Sequence, residues 1–135
     1  MRRLGWCIAC LCLASLASAQ TVYNPTKVVF DSPDHDTSVT SYVIEYWLPT
    51  VDPATGSPVT TGTIQKTAVS ANPAPPGVYQ ALLSAITPLP AVPVGTSYVA
   101  RMKAIGEGGE SMRSSASNPF VFQSAPRSPA AVSIK

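Results

Sequence analysis

The sequence predicts an all-β sandwich, and three observations support this fold class. Residues 98–105 place apolar side chains at every second position, and both charged residues of the stretch, Arg101 and Lys103, lie on the other face, which is the pattern of a half-buried strand. Residues 41–48 alternate in the same way, with aromatic and aliphatic side chains on one face. Other short stretches rich in β-branched and aromatic residues are separated by loops rich in proline and glycine.

The first 19 residues predict a secretory signal peptide. Arg2 and Arg3 precede an apolar run at residues 4–16, and Ala17-Ser18-Ala19 fits a cleavage site before Gln20. The run is too short for a typical transmembrane helix, and an uncleaved anchor is the alternative. We therefore expect an exported protein, secreted or periplasmic or extracellular, with no membrane contact after cleavage.

Cleavage would change the composition of the chain. It would remove all three cysteines and two of the nine basic residues, leaving seven basic residues against seven acidic ones. The remaining chain would have no disulfide and no thiolate metal site. Its net charge near zero gives no electrostatic footprint for nucleic acid. Its length suits one domain, which we place at residues 20–123, with a linker-like tail at residues 124–135.

The predicted strands begin after a short segment at residues 21–25. Residues 26–30 form a β-branched strand, and residues 31–36 form a loop of side chains that favour turns. The alternating strand at residues 41–48 comes next. Residues 63–69 also alternate, and we expect them to form an edge strand.

The second half of the chain contains three further predicted strands. Residues 78–86 are apolar without a clean period, and we favour a strand over a helix because prolines and strands flank them. Three prolines hold the approach to Tyr98 extended, where the next strand begins. Residues 106–109 predict a tight hairpin connection. Residues 118–122 predict a last strand with both phenylalanines on one side.

Four stretches, in the right order, resemble a fibronectin type III domain. Val28-Val29-Phe30-Asp31-Ser32-Pro33 is similar to its second strand and exit, and Tyr42-Val43-Ile44-Glu45-Tyr46 to its third. Val92-Pro93-Val94-Gly95-Thr96-Ser97-Tyr98 resembles the family's Leu-x-Pro-Gly-Thr-x-Tyr, and residues 104–111 resemble its sixth-to-seventh-strand hairpin. The resemblance implies an immunoglobulin-like β-sandwich with a tyrosine corner. In such a corner the Tyr98 ring packs inward and its hydroxyl bonds upstream backbone.

Two departures from the family bear on function. Its integrin-binding members carry Arg-Gly-Asp in the hairpin, whereas this chain has Gly108-Gly109-Glu110, so integrin binding is not implied. The family also has a longer segment before its second strand than cleavage would leave here. We therefore expect the second strand to keep one edge open, with unpaired backbone donors and acceptors.

Asp31, Asp34 and Asp36 lie close together with His35 and are weak candidates for metal ligands. Calcium prefers oxygen ligands at such density, but the spacing fits no known calcium loop, and aspartate usually caps turns. We therefore predict no metal and no cofactor. His35 is the single histidine, and no motif pairs it with a nucleophile, so we predict no enzymatic activity.

The predicted binding face surrounds Trp47. By alternation Trp47 lies with Val43 on the face opposite the apolar side of its strand, next to Val99 and Ile105 on a neighbouring strand. An exposed patch of this kind suits a protein partner or a sugar ring. In the alternative interpretation, the long connection at residues 49–62 folds back and covers Trp47.

These features favour a secreted, non-enzymatic module that binds a protein or a carbohydrate at a cell surface or in the extracellular matrix. The alternative is a structural subunit that assembles head-to-tail by donating its C-terminal strand. The segment from Pro129 to Lys135 is strand-like and follows a proline-bearing linker, which is the basis for self-association. A loose tail is the commoner outcome for a chain terminus.

Overall fold

The protein is an all-β sandwich in a computed structural model that describes residues 20–31, 38–73, 77–125, 131 and 133–135. The described residues form nine strands and two 3-10 helices. The strands are β1 (Val22–Tyr23), β2 (Lys27–Asp31), β3 (Val39–Trp47), β4 (Thr60–Gln65), β5 (Ser70–Ala71), β6 (Val78–Leu82), β7 (Ser97–Gly106), β8 (Gly109–Glu110) and β9 (Phe120–Val121). The 3-10 helices, Lys66–Ala68 and Leu83–Ala85, follow β4 and β6.

Two sheets form the layers of the sandwich. The larger sheet has the strand order β1-β9-β7-β3-β4, with β8 paired to β7, and the smaller has the order β2-β6-β5. Strand β1 runs parallel to β9, and the other pairs are antiparallel. Flanking hydrogen bonds secure the parallel pair. The Val22 N–H donates to the Pro119 carbonyl and the Asn24 N–H to the Val121 carbonyl, each at 2.9 Å.

The core is built on the inward faces of β3 and β7, as their alternation predicts. The register sets Ile44 opposite Met102, and residues two positions away on each strand share that face. Burial raises the pKa of the Tyr46 hydroxyl. The buried core cluster consists of Val39, Tyr42, Ile44, Tyr46, Ile64, Ala81, Ile86, Tyr98, Ala100, Met102 and Phe120.

Two aromatic residues singled out by the resemblance both contact this core. The Tyr98 ring packs inward, 6.4 Å from the Tyr46 ring between centroids, while the hydrogen bond of its hydroxyl to upstream backbone stays a prediction. Phe30 is half-buried and meets the Tyr42 ring edge-on, with 4.9 Å between centroids. Phe30 therefore covers the core rather than filling its centre.

Strand β4 differs from the prediction because it spans Thr60–Gln65 rather than residues 63–69. It pairs with β3 from Tyr46 back to Ser41, and the chain then turns in the first 3-10 helix. Gly62 interrupts the apolar pattern of β4 for a steric reason. A Cβ atom there would clash with Ile86 and lie 2.9 Å from the Pro88 carbonyl oxygen, so only glycine leaves room for this crossing segment.

The other strand predictions hold with adjusted bounds. Residues 78–82 form a strand, as we favoured, and the second 3-10 helix follows it. The tight hairpin is confirmed, since Gly106 pairs with Gly109 and leaves a two-residue turn. The last strand is shorter than predicted, because regular pairing of β9 with β7 covers only Phe120–Val121.

Several predictions fall on parts of the chain that the structure does not describe. The predicted signal peptide at residues 1–19 and the loop residues Asp34, His35 and Asp36 lie outside the described residues. Within the described ranges, no helix has the length and apolar character needed to span a membrane.

Candidate functional site

In the described part of the chain, strand β2 pairs with β6 alone, so its other edge is open there. The Leu83 N–H donates to the Thr26 carbonyl at 2.9 Å, and alternation along an antiparallel ladder then turns the backbone groups of Val28 and Phe30 toward β6. The backbone N–H and C=O groups of Lys27, Val29 and Asp31 consequently point away from β6, toward the open edge. The expectation of an open edge on this strand agrees with the structure.

A cleft of about 730 Å³ runs along this edge. It separates β2 from residues 108–117, and its floor includes the core residues Tyr42, Ala100 and Met102. A second opening of about 470 Å³ continues along β2 toward β1 and shares Val28 with the first. We call the first opening, with the free edge of β2, the β2 cleft. The sandwich is thus less closed on this side, where core residues that are 2–9 % exposed form the floor of the opening.

The far wall of the β2 cleft is a serine ladder, formed by Ser111, Ser114 and Ser117. Each serine N–H donates to a β7 carbonyl, and each serine Oγ accepts from the N–H of the same β7 residue, at distances of 2.8–3.0 Å. Ser111 pairs with Ala104, Ser114 with Met102 and Ser117 with Ala100. Three residues of the segment therefore match two residues of β7, which is not the period of a strand.

The serine hydroxyls also make hydrogen bonds within their own segment. Each Oγ also donates to the carbonyl of the following residue, so the hydroxyl satisfies the backbone on both sides. The residues between the serines do not pair regularly with β7, and Ser115 and Ala116 line the cleft instead. The sequence signal for this wall was the Ser-x-x-Ser-x-x-Ser spacing, which a search for period two does not detect.

Comparison with family models, with curated proteins and with solved structures gives no match for this chain. The β2 cleft is therefore assigned from geometry.

A second cluster of functional groups lies on the outer face of the larger sheet. Glu45 is 2 % exposed, and its Oε2 atom accepts hydrogen bonds from Trp47 Nε1 at 2.9 Å and from Arg113 Nε at 2.8 Å. Lys103 Nζ lies 3.6 Å from the other carboxylate oxygen. Burial raises the pKa of the Glu45 carboxyl. The hydrogen bonds and positive charges around it outweigh burial, so its pKa lies below the ordinary value of 4.5.

The expectation that Trp47 faces solvent is wrong. Trp47 is 1 % exposed; the Arg113 guanidinium lies over its ring, and Glu45 accepts its N–H. Val99, predicted to share the patch, is 8 % exposed, and Val43 and Ile105 are half-buried. Alternation identified the correct face of β3. One side chain over the Trp47 ring, that of Arg113, comes from the segment that carries the serine ladder. That the connection at residues 49–62 also covers Trp47, as the alternative interpretation has it, stays a prediction.

The candidate metal site gains no support from the described residues. Asp31 is exposed at the end of β2. In the described part of the chain no three histidine, cysteine, aspartate or glutamate side chains cluster as metal ligands would. Because Asp34 and Asp36 lie outside the described ranges, the prediction for this loop stays a prediction.

Proposed function

We propose that this chain is an exported, non-enzymatic interaction module that binds an extended protein segment along the β2 cleft. The observation that carries the proposal is the open edge of β2 beside an apolar floor. Lys27, Val29 and Asp31 direct their backbone groups to the place where another strand would lie. Strand addition of this kind obtains affinity from main-chain hydrogen bonds and specificity from alternate side chains.

The surface favours a protein segment over a carbohydrate. A sugar ring is usually bound by an exposed aromatic face, and Trp47, the aromatic residue proposed for that role, is covered by Arg113. The β2 cleft instead offers repeating backbone donors and acceptors, which match the repeat of an extended peptide.

Three features support a fibronectin type III-type sandwich as the scaffold. The order of β2, β6 and β5 in one sheet and of β4, β3, β7 and β9 in the other is compatible with the two layers of immunoglobulin-like domains. The Tyr98 ring packs into the core at the start of β7. The hairpin between β7 and β8 lies where the resemblance expects it.

A displayed library of random heptapeptides, selected on residues 20–135, tests the proposed function. We expect selected peptides to alternate apolar and polar residues and to lose binding to a Val29→Pro variant. The Val29 N–H points away from β6, so proline removes an edge donor without breaking the β2–β6 ladder. Val29→Thr keeps the donor and is the matched control.

The outcome of this selection is decisive in both directions. The proposal would be overturned by selected peptides that bind Val29→Pro and the unaltered chain with equal affinity, or by a library that yields no binder. N-methylation of alternate amides in a selected peptide gives a second measurement that does not depend on the folding of a variant. Binding should fall when the methylated amides are those that face β2, and stay when they face away.

A further inference from the structure

We infer that the strand bound in the β2 cleft is the C-terminal segment, residues 129–135, of a second copy of this chain. Copies would then join head to tail. This inference rests on the proposed function, because it names the partner of the same cleft.

The tail has the chemistry of a strand that lacks a partner. Its described residues are exposed, and Ile134 is 97 % exposed, more than any other large apolar residue described. In the sequence, Val132 and Ile134 alternate with Ser133 and Lys135, which gives an extended segment one apolar and one polar face. A β-branched side chain held fully in water gains nothing from its own domain.

The tail and the cleft match in length and in pattern. Strand β2 has five residues, and residues 131–135 would extend over the same distance. Seated there, Val132 and Ile134 point inward onto the floor at Tyr42 and Met102, and Ser133 and Lys135 remain in solvent. The main-chain groups of the tail then meet the outward groups of the β2 edge.

The direction of the chain favours a second molecule over the tail's own domain. After β9 the Gly95 N–H donates to the Phe122 carbonyl, and the Gln123 N–H donates to Asn24 Oδ1, each at 2.8 Å. The tail therefore leaves beside the turn at which β2 begins. Folding back onto its own β2 would make it parallel to that strand, whereas a tail from another copy can lie antiparallel. Antiparallel pairing is the more stable geometry per residue.

The contact joins two different surfaces of the chain. One copy supplies its tail and the next its cleft, so each copy keeps one tail and one cleft unused. Such heterologous contacts build open chains unless the rotation between copies closes a ring. The expected product is therefore a series of oligomers whose size increases with concentration.

Sedimentation velocity of residues 20–135 tests the inference directly. We expect concentration-dependent oligomers for this chain, and monomers for the chain that lacks residues 129–135 and for Val29→Pro. Val29→Thr, the matched control, should assemble like the unaltered chain. Excess free peptide Pro-Ala-Ala-Val-Ser-Ile-Lys should shift the oligomers to monomers by filling the clefts. An unaltered chain that stays monomeric at all concentrations would overturn the inference.

A binding measurement separates failure of this inference from failure of the proposed function. The same peptide, labelled with a fluorophore, is titrated onto the tail-deleted chain. A peptide carrying Ile134→Asp should bind at least about tenfold more weakly, because it loses the apolar contact with the floor. Equal binding of the two peptides would contradict the proposed contact.

The remaining outcomes each decide one question. If library peptides bind and lose binding to Val29→Pro, but the tail peptide does not bind, the inference is overturned and the proposed function stands. If the tail peptide binds the chain that lacks residues 129–135 but not the full chain, and the full chain is monomeric, the tail fills the cleft of its own molecule. That result would also overturn the inference. Absence of binding by both kinds of peptide would overturn both proposals.

Discussion

The guanidinium of Arg113 lies over the indole ring of Trp47, with its Cζ atom 5.2 Å from the ring centroid. Both side chains donate to the same Oε2 atom of Glu45. Arg113 belongs to the segment that carries the serine ladder, so this contact fastens the far wall of the β2 cleft to the outer face of β3. The buried glutamate is thus a structural anchor.

Replacing Arg113 with alanine should lower the free energy of unfolding by about 1–2 kcal/mol, the range of a charge-assisted hydrogen bond at a partly exposed site. The loss removes the stacked cation and one donor to Glu45. Urea unfolding midpoints measure the effect. Arg101→Ala is the control, since Arg101 donates to a neutral acceptor, the Ser114 carbonyl, at the longer distance of 3.2 Å, and its loss should cost less. Equal losses would mean that the Glu45 contact contributes nothing.

The free energy of unfolding should fall at acidic pH because the Glu45 carboxylate becomes protonated. Its folded pKa lies below the ordinary 4.5, so its contribution is fully present above the unfolded pKa and is lost as the pH falls through the folded value. Urea unfolding at neutral pH and at pH values below 4.5 should show this loss. Glu45→Gln should flatten that part of the profile, and Glu107→Gln, at an exposed hairpin position, should leave it unchanged. Parallel profiles for the unaltered chain and Glu45→Gln would refute the assignment.

Ser114→Ala should destabilise the fold by about 1 kcal/mol, because the Met102 N–H loses its acceptor and the Ser115 carbonyl loses a donor. Ser115 lines the cleft without a place in the ladder, so Ser115→Ala is the matched control and should be near neutral. Thermal unfolding of the two variants compares them. If they unfold at the same temperature, the serine hydroxyls do not hold this wall.

Gly62→Ala should lower stability by about 1–3 kcal/mol, the usual cost of overpacking. The added methyl would meet Ile86 and the Pro88 carbonyl where the chain crosses β4. Gly108→Ala places the same methyl in open space and should have little effect. Chemical unfolding of both variants checks the difference, and a tolerated alanine at position 62 would show that the crossing segment can move away.

The sequence was sufficient for the fold class because period two is a local property of a strand. Residues such as Ile44 and Met102 could be placed on the core face before the pairing of their strands was known. Trp47 shows the limit of that reasoning. Alternation assigns a side chain to a face, but it does not tell what covers that face, and the residue over Trp47 is paired with Glu45 across 68 positions of the chain.

The serine ladder was missed for a different reason. Its hydrogen bonds use side-chain hydroxyls in place of part of the backbone ladder, so the segment has neither the apolar alternation nor the composition of a strand. Similarly, Gly62 and the threonines around it gave β4 no apolar signal. The open edge of β2 could be anticipated from the short segment before it, whereas the shape of the cleft could not.

The parallel pairing of β1 with β9 also determines how the domain would respond to mechanical tension. In a parallel pair, the chain enters one strand and leaves the other at opposite ends. A pull that separates residue 20 from residue 125 would therefore load the bonds from Val22 to Pro119 and from Asn24 to Val121 in shear, both at once. The bond from Gln123 to Asn24 lies in the same line. Under tension these hydrogen bonds would carry the load together instead of breaking one after another.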